Sequence, residues 1–265
     1  MNFSPPVISM SNVCFSYGNN EVLHNVTLSV AKNSIVAVVG PNGGGKTTLL
    51  RLILGDIKPM YGKMQVFGKS PVKARRKIGF VPQQTDFDSR FPISVLETVV
   101  LGRSAKKTFG LFSDEDREAA LKTLKDVGLE HLAKKHISEL SGGQRQRAFV
   151  AQALCSDPEM LMLDEPTANV DSKTEKDLYA LFKNLNNDKT LIIVSHNLRV
   201  VASYATHIIC VNRTIDMHEL SKDNSKTLIP LPGSGEQSLI DDDYAAHLEE
   251  LVSFMDSPHN AEHLH

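Results

Sequence analysis

The 265-residue chain has no tryptophan, three widely separated cysteines and no excess of charge of either sign. Cys14, Cys155 and Cys210 show no C-x-x-C spacing, so neither a disulfide framework nor a cysteine-rich metal knot is read from them. They are expected to be small core hydrophobes of a reducing compartment. With 29 basic against 31 acidic residues and no dense Lys/Arg stripe, nucleic acid is disfavoured as the main partner. No apolar run approaches the roughly 18–20 residues needed to span a bilayer, so a membrane role would require another chain to cross it. The stretch from Met1 to Pro6 has no basic segment leading into an apolar one, and no secretory leader is expected. No internal repeat is visible. The hydrophobic content of 41% is enough for a sizeable globular core.

What is present is most concentrated at Gly40-Pro41-Asn42-Gly43-Gly44-Gly45-Lys46-Thr47, which satisfies G-x-x-x-x-G-K-[ST]. The apolar run Ile35 to Val39 before it reads as a buried parallel strand, and Leu49, Leu50, Leu52 and Ile53 after it read as a helix ending at Gly55. Such a loop presents backbone N–H groups from Asn42 to Thr48 to phosphate oxygens, aided by the positive helix end. Lys46 adds a point charge for β- and γ-phosphates, and the Thr47 hydroxyl is a ligand for Mg²⁺. The pattern predicts binding of a nucleoside triphosphate, ATP being the expected cofactor together with Mg²⁺.

A second motif, Met160-Leu161-Met162-Leu163-Asp164-Glu165, sets two carboxylates at the tip of an apolar strand. Open α/β sheets bind ligands at that end. Asp164 is placed for the Mg²⁺ shell, and Glu165 is placed as the base that polarises the attacking water.

Leu140-Ser141-Gly142-Gly143-Gln144 is the third motif. Ser141 is expected to cap a helix through Arg147, Phe149, Val150 and Leu154, with two glycines baring donors at its positive end. With these three motifs in this order, the sequence resembles the ATP-binding cassette (ABC) ATPases, over about Val7 to Asn212. The resemblance implies an α/β P-loop NTPase fold of ABC type: a mostly parallel sheet core, an N-terminal antiparallel β subdomain and an inserted helical subdomain. It also implies ATP hydrolysis by two copies packed head to tail, each signature (Ser141, Gly142, Gly143, Gln144) closing over the other's ATP. By the same resemblance Tyr17 stacks on adenine, and Gln83 (Gln84 beside it being the alternative) reaches Mg²⁺ and the attacking water. Asp171 crosses the dimer interface and His196 contacts the γ-phosphate. Asn197 stands where many relatives have Asp, and Ala168-Asn169-Val170-Asp171 replaces a commoner Ser-Ala-Leu-Asp; neither change removes an ATP ligand.

Gly43-Gly44-Gly45 before Lys46, and the run Phe91 to Arg103, are similar to the ATPase subunits of zinc and manganese importers. Siderophore and cobalamin importers share part of the second pattern. The group implies a separate membrane permease, an extracytoplasmic metal-binding protein, and a peripheral location on the cytoplasmic membrane face. Phe87, Phe91, Ile93, Val95 and Leu96 are expected to line a groove for a permease helix. A DNA-maintenance or translation ATPase is the reading from another class. It is opposed by the lack of sustained heptads between Lys46 and Ser141 and by the single cassette.

The expected organisation is an ABC ATPase domain over 1–215 with a helical subdomain at about 86–151. Ser113 and Asp116 suggest a capping box there, followed by Ala120, Leu121, Leu124 and Val127 at helical spacing until Gly128. Residues 216–265 read as a polar extension, with Tyr244 to Met255 a candidate amphipathic helix. His247, His259, His263 and His265 near the end are taken as surface, and no metal site is assigned to them.

Overall fold

The computed structural model describes residues 5–83, 92–106, 111–168, 170–195, 197, 204–220, 228–230 and 237–239. In chain order the elements are β1 (Ile8–Tyr17), β2 (Asn20–Val30), β3 (Ile35–Val39), α1 (Lys46–Leu54), β4 (Tyr61–Val66), α2 (Pro71–Ala74), β5 (Ile78–Val81), α3 (Val95–Val100), α4 (Asp114–Asp126), α5 (Gly142–Leu154), β6 (Met160–Asp164), α6 (Ser172–Leu185), β7 (Thr190–Val194), β8 (His207–Asn212), β9 (Thr214–Glu219), β10 (Leu228–Pro230) and β11 (Gln237–Leu239). The chain divides into two compact units, Met1–Pro71 with Val194–His265, and Val72–Ile193.

In the first unit β1 lies between β2 and β4, antiparallel to both. One face of this sheet is buried through Ile8, Met10, Val13, Phe15, Leu23, Val26 and Leu28, and the other is polar. That is the alternation expected of a half-covered antiparallel sheet. β3 is different: all five of its residues are buried, and it pairs in parallel with β8 from Val36↔His207 to Val39↔Cys210. A strand covered on both faces has no solvent side, so Ile-Val-Ala-Val-Val carries no polar residue. β9 runs antiparallel to β8, from His207↔Glu219 to Asn212↔Thr214. Asp216 to Glu219, read from sequence as the start of a polar extension, are therefore strand. Leu228–Pro230 and Gln237–Leu239 pair as a short antiparallel ladder.

The second unit holds the parallel pair β5 and β6, in register from Ile78↔Met160 to Val81↔Leu163, and the wholly buried β7. Its helices follow the capping chemistry of their sequences. Ser94, Ser113 and Ser141 each close a capping box, on α3, α4 and α5, with Glu97, Asp116 and Gln144 as the reciprocal partners. α3 packs against α4 and α5. Ala120, Leu124 and Val127 of α4 and its C-terminal turn are buried as expected, whereas Leu121 is exposed. At about 100° per residue the apolar stripe is narrower than that pattern, so Leu121 falls at its edge. Arg103 Nε donates to Asp116 Oδ1 at 3.0 Å, tying the chain after α3 to the cap of α4.

Candidate active site

The sequence-predicted site residues fall into three clusters. The first is the loop from Gly40 into α1. α1 starts without a side-chain cap and with no acidic residue in its first turn. Its leading N–H groups are therefore not claimed by the helix's own side chains, which suits an external anion. Gly40 has φ 145°, and a Cβ there would lie 2.1 Å from the Val211 carbonyl oxygen, so only glycine allows the loop to pass β8 this closely. Lys46 is buried, and its Nζ donates to the carbonyls of Gly40 at 2.8 Å and Pro41 at 2.9 Å. The ammonium is thus held over the loop, while Asn42, Gly43 and Thr47 are exposed and Gly44, Gly45 and Thr48 are buried. Backbone amides, an ammonium and a hydroxyl form a donor set that fits a phosphate chain.

Tyr17, half-exposed at the end of β1, belongs to the same unit. Its ring meets Phe15 edge to face at 4.9 Å, and its hydroxyl accepts from Arg51 Nη1 at 2.9 Å. The Arg51 guanidinium carbon lies 5.9 Å from the Tyr17 ring centre, a cation–π contact that steadies the ring. Sequence reasoning missed Arg51. Its position one helical turn after Thr47 on α1 is the signal that points back to this surface.

The second cluster lies at the C-terminal end of β6. Asp164 is the last strand residue and is buried. Glu165 follows with φ 50°, a left-handed conformation uncommon for a residue with a side chain. Such backbone persists where surrounding structure holds it, and it turns this carboxylate out of the strand direction. Gln83, just beyond β5, donates from Nε2 to Glu165 Oε2 at 2.5 Å. The register of β5 on β6 sets Val81 beside Leu163, and the two chain ends carry their polar residues to meet. Asp164 is a hard oxygen donor of the kind Mg²⁺ takes.

The third cluster gathers the signature and Asp171. Ser141 Oγ accepts from Gln144 N at 3.3 Å, and Gln144 Oε1 accepts from Ser141 N at 3.1 Å. Gly143 faces the start of α6: a Cβ on it would lie 2.2 Å from Thr174 Cγ2. Thr174 in turn donates from N and Oγ1 to Asp171, at 3.0 and 2.6 Å, and Lys173 N donates to the same carboxylate at 3.1 Å. The Thr174 hydroxyl bond, then the backbone bonds, hold the Asp171 carboxyl below the ordinary carboxylate range. Asp171 is thus the N-cap of α6, and Thr174 joins it to the signature. Upstream, backbone bonds from Val95 to Lys135, Leu96 to Ala133 and Ile137 to Ile93 strap the chain at α3 to the segment entering Ser141. Val95 is buried, Ile93 and Leu96 half-buried. His196, Asn169, Gln84, Phe87 and Phe91 lie outside the described residues, as do His247, His259, His263, His265 and the helix expected from Tyr244 to Met255.

The sequence profile of the ABC transporter family matches residues 23–168. The zinc uptake system ATP-binding protein ZurA of Listeria monocytogenes is 41% identical over 215 residues, covering 79% of this chain and 84% of that protein. The manganese transport system ATP-binding protein MntA of Synechocystis is 38% identical, covering 78% and 82%. Among solved structures, the dimeric post-hydrolysis state of the ATP-binding cassette MJ0796, bound to ADP and Pi, is similar. Its TM-score is 0.70 at 32% identity, over 82% of this chain and 100% of that one. The chain belongs to the ABC transporter family, as an ATP-binding and ATP-hydrolysing cassette. Among the described residues no helix is long and apolar enough to cross a membrane.

Proposed function

We propose that this chain is the ATPase subunit of an importer for a divalent metal ion, zinc or manganese, working as a head-to-tail pair on a separate membrane permease. The contact of Gln83 with Glu165 carries the reading. It joins Glu165, the base in this reading, to the stretch that leads, through α3, into the helices of the second unit.

In this reading the Tyr17 ring, braced by Arg51, stacks on adenine. The backbone from Asn42 to Thr48 wraps the phosphates, and Lys46 adds its charge to the β- and γ-oxygens. Thr47, Asp164 and Gln83 would hold Mg²⁺, which would supply positive charge to the γ-phosphate. Glu165 takes the proton of the attacking water, and His196 donates to the γ-phosphate. Ser141, Gly142, Gly143 and Gln144 of the second copy close over the same ATP, with Asp171 at that interface. The zinc and manganese names of the relatives support the cargo, and an extracytoplasmic metal-binding protein would deliver it. The chain sits at the cytoplasmic membrane face through the permease and does not use nucleic acid.

The test pairs two measurements. Glu165→Gln keeps size and hydrogen bonding, so ATP still binds while turnover falls roughly 10²–10⁴-fold. In cells deleted for the gene, accumulation of radioactive zinc or manganese falls and is restored by the wild-type chain but not by Glu165→Gln. Loss of siderophore or cobalamin uptake with normal zinc and manganese would refute the metal cargo. Near-normal turnover by Glu165→Gln would refute the base.

A further inference from the structure

We propose that Cys14, Glu21 and His24 form a binding site for a zinc-class divalent cation on the β1–β2 hairpin. The inference is independent of the transported cargo. The Sγ of Cys14, a carboxylate oxygen of Glu21 and a ring nitrogen of His24 all lie within 4.8 Å of one another. His24 Nδ1 and Glu21 Oε1 are 2.9 Å apart. Tetrahedral zinc ligands at about 2.0–2.3 Å from the ion stand roughly 3.3–3.6 Å from each other, so small χ rotations bring the three to bonding distance. Thiolate, imidazole and carboxylate together are a borderline-soft set. They suit zinc and not magnesium or calcium, with water as the fourth ligand.

The grouping is a product of strand irregularity, not of the plain alternation of β2. Glu21 and His24 are three apart and would point to opposite faces of a regular strand. The register runs from Phe15↔Leu23 to Ser16↔Glu21, so Val22 is an extra residue on β2. A second shift, between Val13↔Val26 and Phe15↔Leu23, leaves one more extra residue beside Asn25, which has φ 48°. Bulges re-aim side chains, and these two flank His24 opposite Cys14. The Asn25 backbone N–H donates to Cys14 Sγ at 3.2 Å, which fixes the sulfur on the side of the bulge that carries His24. Glu21 and His24 keep half or more of their side-chain surface, which leaves the ion a way in. Cys14, expected from sequence to be a core hydrophobe, is only partly buried, whereas Cys155 and Cys210 are buried.

The site also has a place to act. Val22 and Leu23, between the ligands, brace the phosphate loop: a Cβ on Gly45 would lie 2.9 Å from Leu23 Cδ2 and 3.1 Å from the Val22 carbonyl oxygen. Tyr17 ends the same hairpin. An ion on Cys14, Glu21 and His24 would fasten the strand segment that supports both.

Titration of the full chain with Co²⁺ reads the site directly, because a thiolate ligand gives a sulfur-to-cobalt charge-transfer band that histidines and carboxylates do not. One equivalent per chain should produce the band, and Zn²⁺ should abolish it by displacement. Cys14→Ser should lack it while keeping ATP turnover measured with Mg²⁺ and without Co²⁺ or Zn²⁺, which shows that the variant folds. His24→Gln should keep the band but need roughly tenfold more Co²⁺. A chain that gives no band at saturating Co²⁺, or a band that survives Cys14→Ser, overturns the site.

Discussion

Two helices of this chain begin at glycine-rich sequences, and they begin in opposite ways. α1 starts after Gly45 with no side-chain cap and no acid in its first turn, over a buried lysine folded back on the loop. α5 starts after Ser141, whose hydroxyl already accepts from Gln144 N, and Gln144 answers from its own side chain. A helix end with no side-chain cap and a nearby ammonium can hold an anion alone; one closed by its own cap has spent part of that capacity. In the proposed function the first end retains a triphosphate in a single copy. The second offers Gly142 and Gly143 backbone as a late addition, which is the division of labour a head-to-tail pair requires.

Lys46→Ala should give the largest effect on this contrast. Hydrogen bonds to charged groups contribute about 1.5–3 kcal/mol, so nucleotide affinity of the dilute chain should fall roughly 10–150-fold. Ser141→Ala, measured the same way in fluorescence titration, should leave that affinity almost unchanged. Comparable losses in both variants would mean that the two helix ends are not specialised as argued.

How much of this was legible from sequence depended on whether the signal was local. Ile35–Val39 and Met160–Leu163 read as apolar strands, and each is a buried one, because double burial demands an unbroken apolar run. The box at Ser113 and the cap at Ser141 were likewise written within four residues. β4 was not legible: of Tyr-Gly-Lys-Met-Gln-Val only Val66 is buried, so pairing with β1 and not burial defines it. The approach of Thr174 to Gly143, the bond from Gln83 to Glu165 and the bulges around His24 depend on register and on residues far apart in sequence, which no local pattern encodes.

The two signature glycines sharpen the contrast next. Gly142 has nothing within 4 Å of a built Cβ, whereas Gly143 would meet Thr174 at 2.2 Å. Gly143→Ala should destabilise the fold by about 1–3 kcal/mol in urea unfolding, from overpacking against α6. Gly142→Ala should stay within about 0.5 kcal/mol, yet impair the ATP-dependent pairing of Glu165→Gln chains in sedimentation, since its methyl stands where a partner would approach. Equal stability losses would place the glycine requirement in backbone conformation instead of in contact with Thr174. Ser141→Ala should cost about 1 kcal/mol of stability through the lost cap.

The smallest effect separates the cap of α5 from that of α6. Both helices begin at a side chain that accepts backbone N–H groups, but Ser141 is neutral and Asp171 is ionised. Bonds from Thr174 and Lys173 hold the Asp171 pKa below its unfolded value. A group with a lowered folded pKa adds stability above its unfolded pKa and loses it as pH falls through the folded one. The Asp171 contribution is therefore complete at neutral pH and fades on acidification below about pH 4. Asp171→Asn keeps an N-cap acceptor but has no proton to gain, so it should be slightly less stable than wild type at neutral pH. The difference should shrink as pH drops into the acid range, whereas the difference between wild type and Ser141→Ala should stay constant. Urea midpoints of the three chains across that range decide it, and an Asp171→Asn gap that does not change with pH would show that α6 is not capped by a carboxylate anion.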